Sequence, residues 1–372
     1  VAMLIASIVA LVPEMNEVSA ATYVKGSNTA HATYLTSKYY DYFTKLTLTG
    51  DNRTDVLAVA LSQLGYRESS SVDNMSGIVT EATAGNYTEY NYNMGDWGGG
   101  YAYDWCATFV SWALLQSGCT DQHTLSAWTR YHDGVDNSTG EPDDSYDPAY
   151  IWREGSCPLW VRQLKNAGYF EYGEDKGGNY IPKSGDLIYF QNAGSSSVSH
   201  IGIVVYTDDT YVYTVEGNTS DQSGLEPNGN GVYFKKYVHE SSYILGYGAM
   251  PYKTDDNIIK IDYSGANPTA GLYISDREKK VFTTENGTDA TATMPRFTMF
   301  EVTEIAHNGR LKATYKDANG NTVSGWIVND EERVIQLTTT ATKETVSMTV
   351  KCVDEKGSTL KTTSISGYNG TS

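Results

Sequence analysis

Of the four cysteines in this 372-residue chain, at positions 106, 119, 157 and 352, one stands where a sulfur can react. Cys106 opens an apolar helical run, Cys-Ala-Thr-Phe-Val-Ser-Trp-Ala-Leu-Leu-Gln-Ser, soon after a loop that closes with Gly98-Gly99-Gly100. A thiol is a good nucleophile only as the thiolate, and a helix N-terminus lowers its pKa through unpaired backbone N–H groups and the helix dipole. The N–H groups of Cys106 and Ala107 are candidate oxyanion donors. Position alone leaves a second reading open, because a free cysteine is ordinarily a small buried apolar residue.

A nucleophilic cysteine needs a base, which is a neighbour in space rather than in sequence. Of the six histidines, His31 and His307 lie outside the helix-plus-sheet region, His123 and His132 lie in a polar insertion, and His239 sits in a surface-like Lys-Lys-Tyr-Val-His-Glu stretch. His200 alone opens an apolar strand, Ser-His-Ile-Gly-Ile-Val-Val, in which Gly202 lets another group come close. A third residue that fixes the imidazole tautomer would complete the site, and Glu216 and Asn218 at the end of the next strand are the candidates. Pairing arithmetic constrains them. A two- or four-residue loop around Asp208-Asp209 sets His200 opposite Gly217, and both candidates then face away. A three-residue loop or one bulge restores the contact with Asn218 or Glu216, so an irregularity is expected in this hairpin.

These residues must be held by helices followed by strands. Residues 54–64 read as a helix, with Val56, Val59, Ala60 and Leu64 on one face, Asp51 or Thr54 as cap and Gly65 as stop. Residues 68–101 read as loop, the helix from Cys106 stops at Gly118, residues 120–155 read as an inserted lid or surface loop, and a third helix follows from Ser156, with Pro158 near its first turn and Gly168 past its end. Strands follow at 187–190, 199–206, 211–216, 232–237 and 243–247. This order is α+β. A smaller all-β unit spans 262–338, and a third β segment begins at 345.

The strings Ala60 to Glu68, Asp104-Trp105-Cys106-Ala107-Thr108-Phe109, Pro182-Lys183-Ser184-Gly185-Asp186, His200-Ile201-Gly202-Ile203-Val204 and Val215-Glu216-Gly217-Asn218 occur in one order, and Tyr243 to Gly248 closes the unit. Together they resemble the CHAP family, the cysteine, histidine-dependent amidohydrolases/peptidases, over about residues 51–253. The resemblance implies a papain-like α+β domain of N-terminal helices packed on an antiparallel sheet. It also implies cleavage of the amide between muramic acid and L-alanine, or of a bond within the peptide stem or cross-bridge. Cys106 would attack, His200 would act as base and then acid, and Glu216 or Asn218 would orient His200. Some phage members bind calcium just upstream of the nucleophile. Here Trp97 and Gly98 to Gly100 occupy that region, so no metal and no cofactor is expected. Residues 262–338 look like a bacterial Src-homology 3-like barrel, in which Tyr273, Phe282, Phe300 and Trp326 either line a wall-binding groove or form a small core. Residues 345–372 resemble the start of a mucin-binding-protein-type repeat.

Residues 1–20 read as a signal peptide clipped at its N-terminus, with an apolar run too short to span a bilayer and the small-residue end Val18-Ser19-Ala20-Ala21. Residues 21–50 read as a linker. In an exported chain Cys119 and Cys157 can pair as a disulfide, since each begins or ends a helix, leaving Cys106 free. The formal charge of −18, with no basic cluster to reverse it, argues against nucleic acid as a partner. The expected protein is a secreted, wall-associated monomer acting on peptidoglycan without membrane insertion. The alternative is a cell-surface adhesin with a catalytically silent scaffold.

Overall fold

The computed structural model describes residues 19–79, 85–96, 99–120, 151, 153–192, 194–195, 197–330, 333–341, 345–353 and 359–368. The apolar run of the expected signal peptide and the surface-loop reading of 121–150 lie outside the described residues.

The segment expected as a linker folds. Strand β1 (Ser19–Ala20) pairs with β2 (Thr47–Leu48), and the short helices α1 (Ala32–Leu35) and α2 (Lys38–Thr44) lie between them. Their aromatic residues decide this: Tyr34 and Phe43 are completely buried, with ring centroids 6.2 and 5.8 Å from Trp112. Helices of four and seven residues are too short to print a period, which is why the stretch reads as linker.

Helix α3 (Asn52–Leu61) starts at Asp51, whose carboxylate accepts the Thr54 N–H at 2.9 Å. Within the expected loop 68–101 stands one more helix, α4 (Glu89–Met94), capped by Thr88. Helix α5 (Cys106–Gln116) is buried along its whole length, and α6 (Cys157–Ala167) ends at Gly168 in the left-handed conformation. The helices pack on a six-stranded antiparallel sheet formed by β3 (Phe170–Tyr172), β4 (Leu187–Gln191), β5 (Val198–Thr207), β6 (Tyr211–Thr219), β7 (Gly231–Val238) and β8 (Ile244–Gly248). Their order is β3-β8-β4-β5-β6-β7, so β5 and β6 lie inside the sheet, where α5 packs against them. The unit is α+β, as the order of its elements implied.

The second unit has seven strands: β9 (Gly271–Ser275), β10 (Lys279–Phe282), β11 (Ala290–Met294), β12 (Thr298–Ile305), β13 (Leu311–Lys316), β14 (Thr322–Ile327) and β15 (Val334–Gln336). Their antiparallel order β11-β10-β14-β13-β12-β9-β15 leaves β11 and β15 as edges, so the expected barrel does not close. Tyr273, Phe300 and Trp326 are buried to 8 % exposure or less and serve mainly as core, although Phe300 also borders a groove of about 800 Å³ shared with Tyr42 and Arg296. Phe297 joins the units. Its ring lies against Gly65, its carbonyl accepts the Tyr42 hydroxyl at 3.3 Å, and neighbouring Arg296 grips Asp221 through two hydrogen bonds of 2.6 and 2.8 Å. Beyond it, the backbones of β16 (Thr345–Val353) and β17 (Thr359–Tyr368) pair as an antiparallel hairpin.

Candidate active site

Cys106 is the first residue of α5, and its N-cap, Trp105, makes no side-chain cap. No side-chain acceptor from the cap residue therefore competes for the first N–H groups, those of Cys106 and Ala107, which helix geometry leaves unpaired. Two contacts fix this end. Trp105 Nε1 donates to Glu68 Oε2 at 2.7 Å, and Thr108 Oγ1 donates to Asn91 Oδ1 at 2.6 Å. Asn91 Nδ2 in turn donates to the carbonyls of Tyr101 and Tyr103 at 2.9 and 2.7 Å, tying the loop before Cys106 to α4.

His200 reaches the site through an irregular hairpin. Thr207 pairs with Val212 and Tyr206 with Tyr213, but beyond the break Val204 pairs with Thr214 and Ile203 with Val215. The extra residue is Val205, a bulge of the kind the arithmetic required. Continuing that register sets Gly202 opposite Glu216, and Gly202 clears the path: a Cβ there would lie 2.6 Å from Glu216 Cγ. The Glu216 side chain crosses this gap, and its Oε2 accepts His200 Nε2–H at 2.9 Å with both side chains fully buried. Thr214 Oγ1 donates to the other carboxylate oxygen at 2.5 Å, and the Tyr237 hydroxyl donates to Oε2 at 3.2 Å.

Of the two candidate orienting residues, Glu216 is the one bonded to His200. Asn218 is buried nearby with φ of 57° in a second irregularity, between β6 and β7, and its Nδ2 reaches only the Pro227 carbonyl at 3.5 Å. Glu216 takes Nε2 and leaves Nδ1 as the second ring nitrogen of His200; Nδ1 is buried without a hydrogen-bond partner among the described residues, and the Cys106 sulfur and the imidazole act on each other by charge.

The sulfur has a further neighbour that the sequence reading assigned elsewhere. Cys106 Sγ lies 3.7 Å from Cys157 Sγ. The expected disulfide between Cys119 and Cys157 is absent: all three cysteines are free, and the Cys119 sulfur instead accepts the Ser117 hydroxyl at 3.1 Å and donates to the Asn52 carbonyl at 3.6 Å. The electrostatics follow from these contacts. The Cys157 thiol donates to Cys106 and, with His200, overcomes the cost of burial to draw the Cys106 pKa down to about 5. Burial disfavours the charged imidazole, but the Cys106 thiolate and the Glu216 carboxylate outweigh it and raise His200 to about 9. Cys157, which donates to Cys106 and is itself buried, is held protonated. Both shifts favour the thiolate of Cys106, at the end of a helix, together with the imidazolium of His200. Access to the site is narrow, since Cys106 keeps 4 % of its surface exposed and His200 none.

Residues 96–218 match the CHAP domain. That match covers about a third of the chain and contains Cys106, Cys157, His200, Glu216 and Asn218. It does not extend to the second β unit. The match lies inside the helix-then-sheet unit, running from after α4 into β6 and leaving α3, α4, β7 and β8 outside it. No curated protein matches the chain. Among solved structures, the crystal structure of Ly7917 is similar over 76 % of this chain and 95 % of that one, at 12 % identity and a TM-score of 0.28. The crystal structure of Ly7917 with the hydrolyzing product of MDP is similar over 76 % and 96 %, at 14 % identity and 0.27. Similarity this shallow carries no weight for function.

Sequence reasoning missed Cys157 as the neighbour of the Cys106 sulfur, and it missed Asn91, Thr214 and Tyr237 as supports. One signal was available for Cys157: like Cys106, it lies at the start of a predicted helix.

Proposed function

We propose that the chain is a hydrolase of peptidoglycan that uses Cys106 as nucleophile, acting as an N-acetylmuramoyl-L-alanine amidase or as an endopeptidase. The observation that carries this reading is the buried His200–Glu216 pair, 2.9 Å apart, within electrostatic reach of the Cys106 sulfur at a helix N-terminus inside the CHAP domain match. The thiolate attacks the scissile carbonyl carbon, and the oxyanion that forms is met by the N–H groups of Cys106 and Ala107. Collapse to the thioester expels the amine, which leaves with the proton of His200; neutral His200 then takes a proton from water as hydroxide attacks the thioester. Glu216 holds the ring tautomer and orientation and offsets the imidazolium charge. The amide substrate class is drawn from the family resemblance. Export rests on the apolar run and small-residue end of residues 1–20, and wall recognition by the second β unit rests on its resemblance to a Src-homology 3-like module.

The burial of Cys106 and His200 favours a second reading, a silent scaffold on a surface-binding protein. Purified walls separate the two. Incubation with the chain should lower turbidity and release muropeptides with new amine or peptide ends identifiable by mass spectrometry, and Cys106→Ala should reduce this to background. Lysis that persists in the variant removes Cys106 as the nucleophile, and no lysis by the parent chain favours the scaffold.

A further inference from the structure

We propose that Cys106 and Cys157 form a reversible disulfide on exposure to a peroxide, so that the nucleophile carries its own resolving thiol. The two sulfurs are free, 3.7 Å apart, and each is the first residue of a helix, α5 and α6. A disulfide needs about 2.05 Å between sulfurs, so roughly 1.7 Å must close, a gap that small rotations about two Cα–Cβ bonds span. Cys119 is no competitor, because its sulfur is engaged with Ser117 and Asn52.

The chemistry balances. The Cys106 thiolate attacks one peroxide oxygen, the O–O bond breaks, and the departing hydroxide leaves as water with the proton of His200; Cys106 becomes a sulfenic acid. The Cys157 sulfur then attacks Cys106, the S–O bond breaks, and hydroxide leaves as water with the Cys157 proton. Two thiols and one hydrogen peroxide give one disulfide and two waters, and a dithiol reductant reverses the change. Without Cys157 the sulfenic acid takes an oxygen from a second hydrogen peroxide, which leaves as water, and becomes the sulfinic acid, which dithiols do not reduce. The inference rests on the reading of Cys106 as an ionised nucleophile, although not on the identity of the substrate.

The test uses the full chain, reduced, desalted and treated with one equivalent of hydrogen peroxide, then digested without reduction for peptide mass mapping. The expected product links the Cys106 and Cys157 peptides, with the thiol titre lower by two per chain. Wall lysis should fall by about tenfold or more and return on adding dithiothreitol. In Cys157→Ser, given two equivalents of hydrogen peroxide, Cys106 should instead gain two oxygen atoms and no treatment with dithiothreitol should restore it, while Cys119→Ser under one equivalent should behave as the parent. Oxygenated but unlinked Cys106 in the parent, or a link to a different cysteine, overturns the proposal. The peptide map of the parent decides even where Cys157→Ser does not fold. Because the link is read by mass, a chain that forms it without lysing walls sinks the hydrolase reading alone.

Discussion

Gly202→Ala tests whether Glu216 holds the charge on His200. The new Cβ would lie 2.6 Å from Glu216 Cγ and 3.2 Å from the Val215 carbonyl oxygen. Carbon atoms rest about 3.5–4.0 Å apart, so the carboxylate must retreat by roughly 1 Å. Its 2.9 Å bond to His200 then stretches to about 3.9 Å, beyond hydrogen-bond range. A hydrogen bond to a charged group contributes about 1.5–3 kcal/mol, and here it favours the imidazolium over the neutral ring. Its loss lowers the His200 pKa from about 9 to about 7–8. The sign is fixed: less of the enzyme carries the imidazolium on the alkaline side, and the acid side is unaffected. The assay is the pH profile of kcat/KM for wall lysis. Its alkaline limb should move down to about 7–8, with a rate at pH 8.5 that is roughly tenfold lower. Overpacking also costs about 1–3 kcal/mol of stability, so circular dichroism and melting must establish that the variant is folded. Glu216→Gln, which keeps the volume and removes the charge, should move the limb in the same direction. A folded Gly202→Ala enzyme whose alkaline limb stays at the parent position would refute the claim that Glu216 sustains the ion pair.

For the parent chain, alkylation of Cys106 by iodoacetamide should already be fast near pH 6, because the thiolate persists down to about 5, and wall lysis should decline above about 9 as His200 loses its proton; an alkylation profile that rises only near the ordinary thiol pKa would contradict the ion pair. Gly65→Ala should loosen the second unit, since Gly65 has φ of 85° and a Cβ there would lie 2.3 Å from the Phe297 ring. The left-handed backbone alone costs about 1–2 kcal/mol, and limited proteolysis between the units should accelerate, whereas an unchanged cleavage rate and melting temperature would show that Phe297 does not anchor them.

The sequence revealed most where the pattern was long or chemically constrained. The strands from 187 to 247 alternate or run apolar between turn clusters, and they appear as β4 to β8. Cys106 was legible because an apolar helix begins abruptly behind glycines, and His200 because it alone among the histidines opens an apolar strand. The losses have a common cause: short elements whose stability comes from tertiary burial. Helices α1, α2 and α4 run four, seven and six residues, and their aromatic side chains pack into a core that no local period announces. Cys157 was misassigned for a different reason. Helix ends identify residues that lie near a surface or a loop, but they do not say which helix end faces which, and here the starts of α5 and α6 face each other.

The choice between Glu216 and Asn218 shows what lies between those extremes. Both residues lie on β6, two positions apart and hence on one face of a regular strand, so strand periodicity could not separate them. The bulge at Val205 brings that face round to His200, and it does so for both. What distinguishes them is the backbone on either side. Glu216 lies opposite Gly202, where the missing side chain opens a crossing to His200, and it is braced by Thr214 and Tyr237. Asn218 falls at the irregularity between β6 and β7, where a φ of 57° turns its side chain toward Pro227. The selection of the orienting residue thus depends on one inserted residue and one absent side chain. Both are visible in the sequence as a loop-length parity and a glycine, but they acquire meaning only once the register of the hairpin is known.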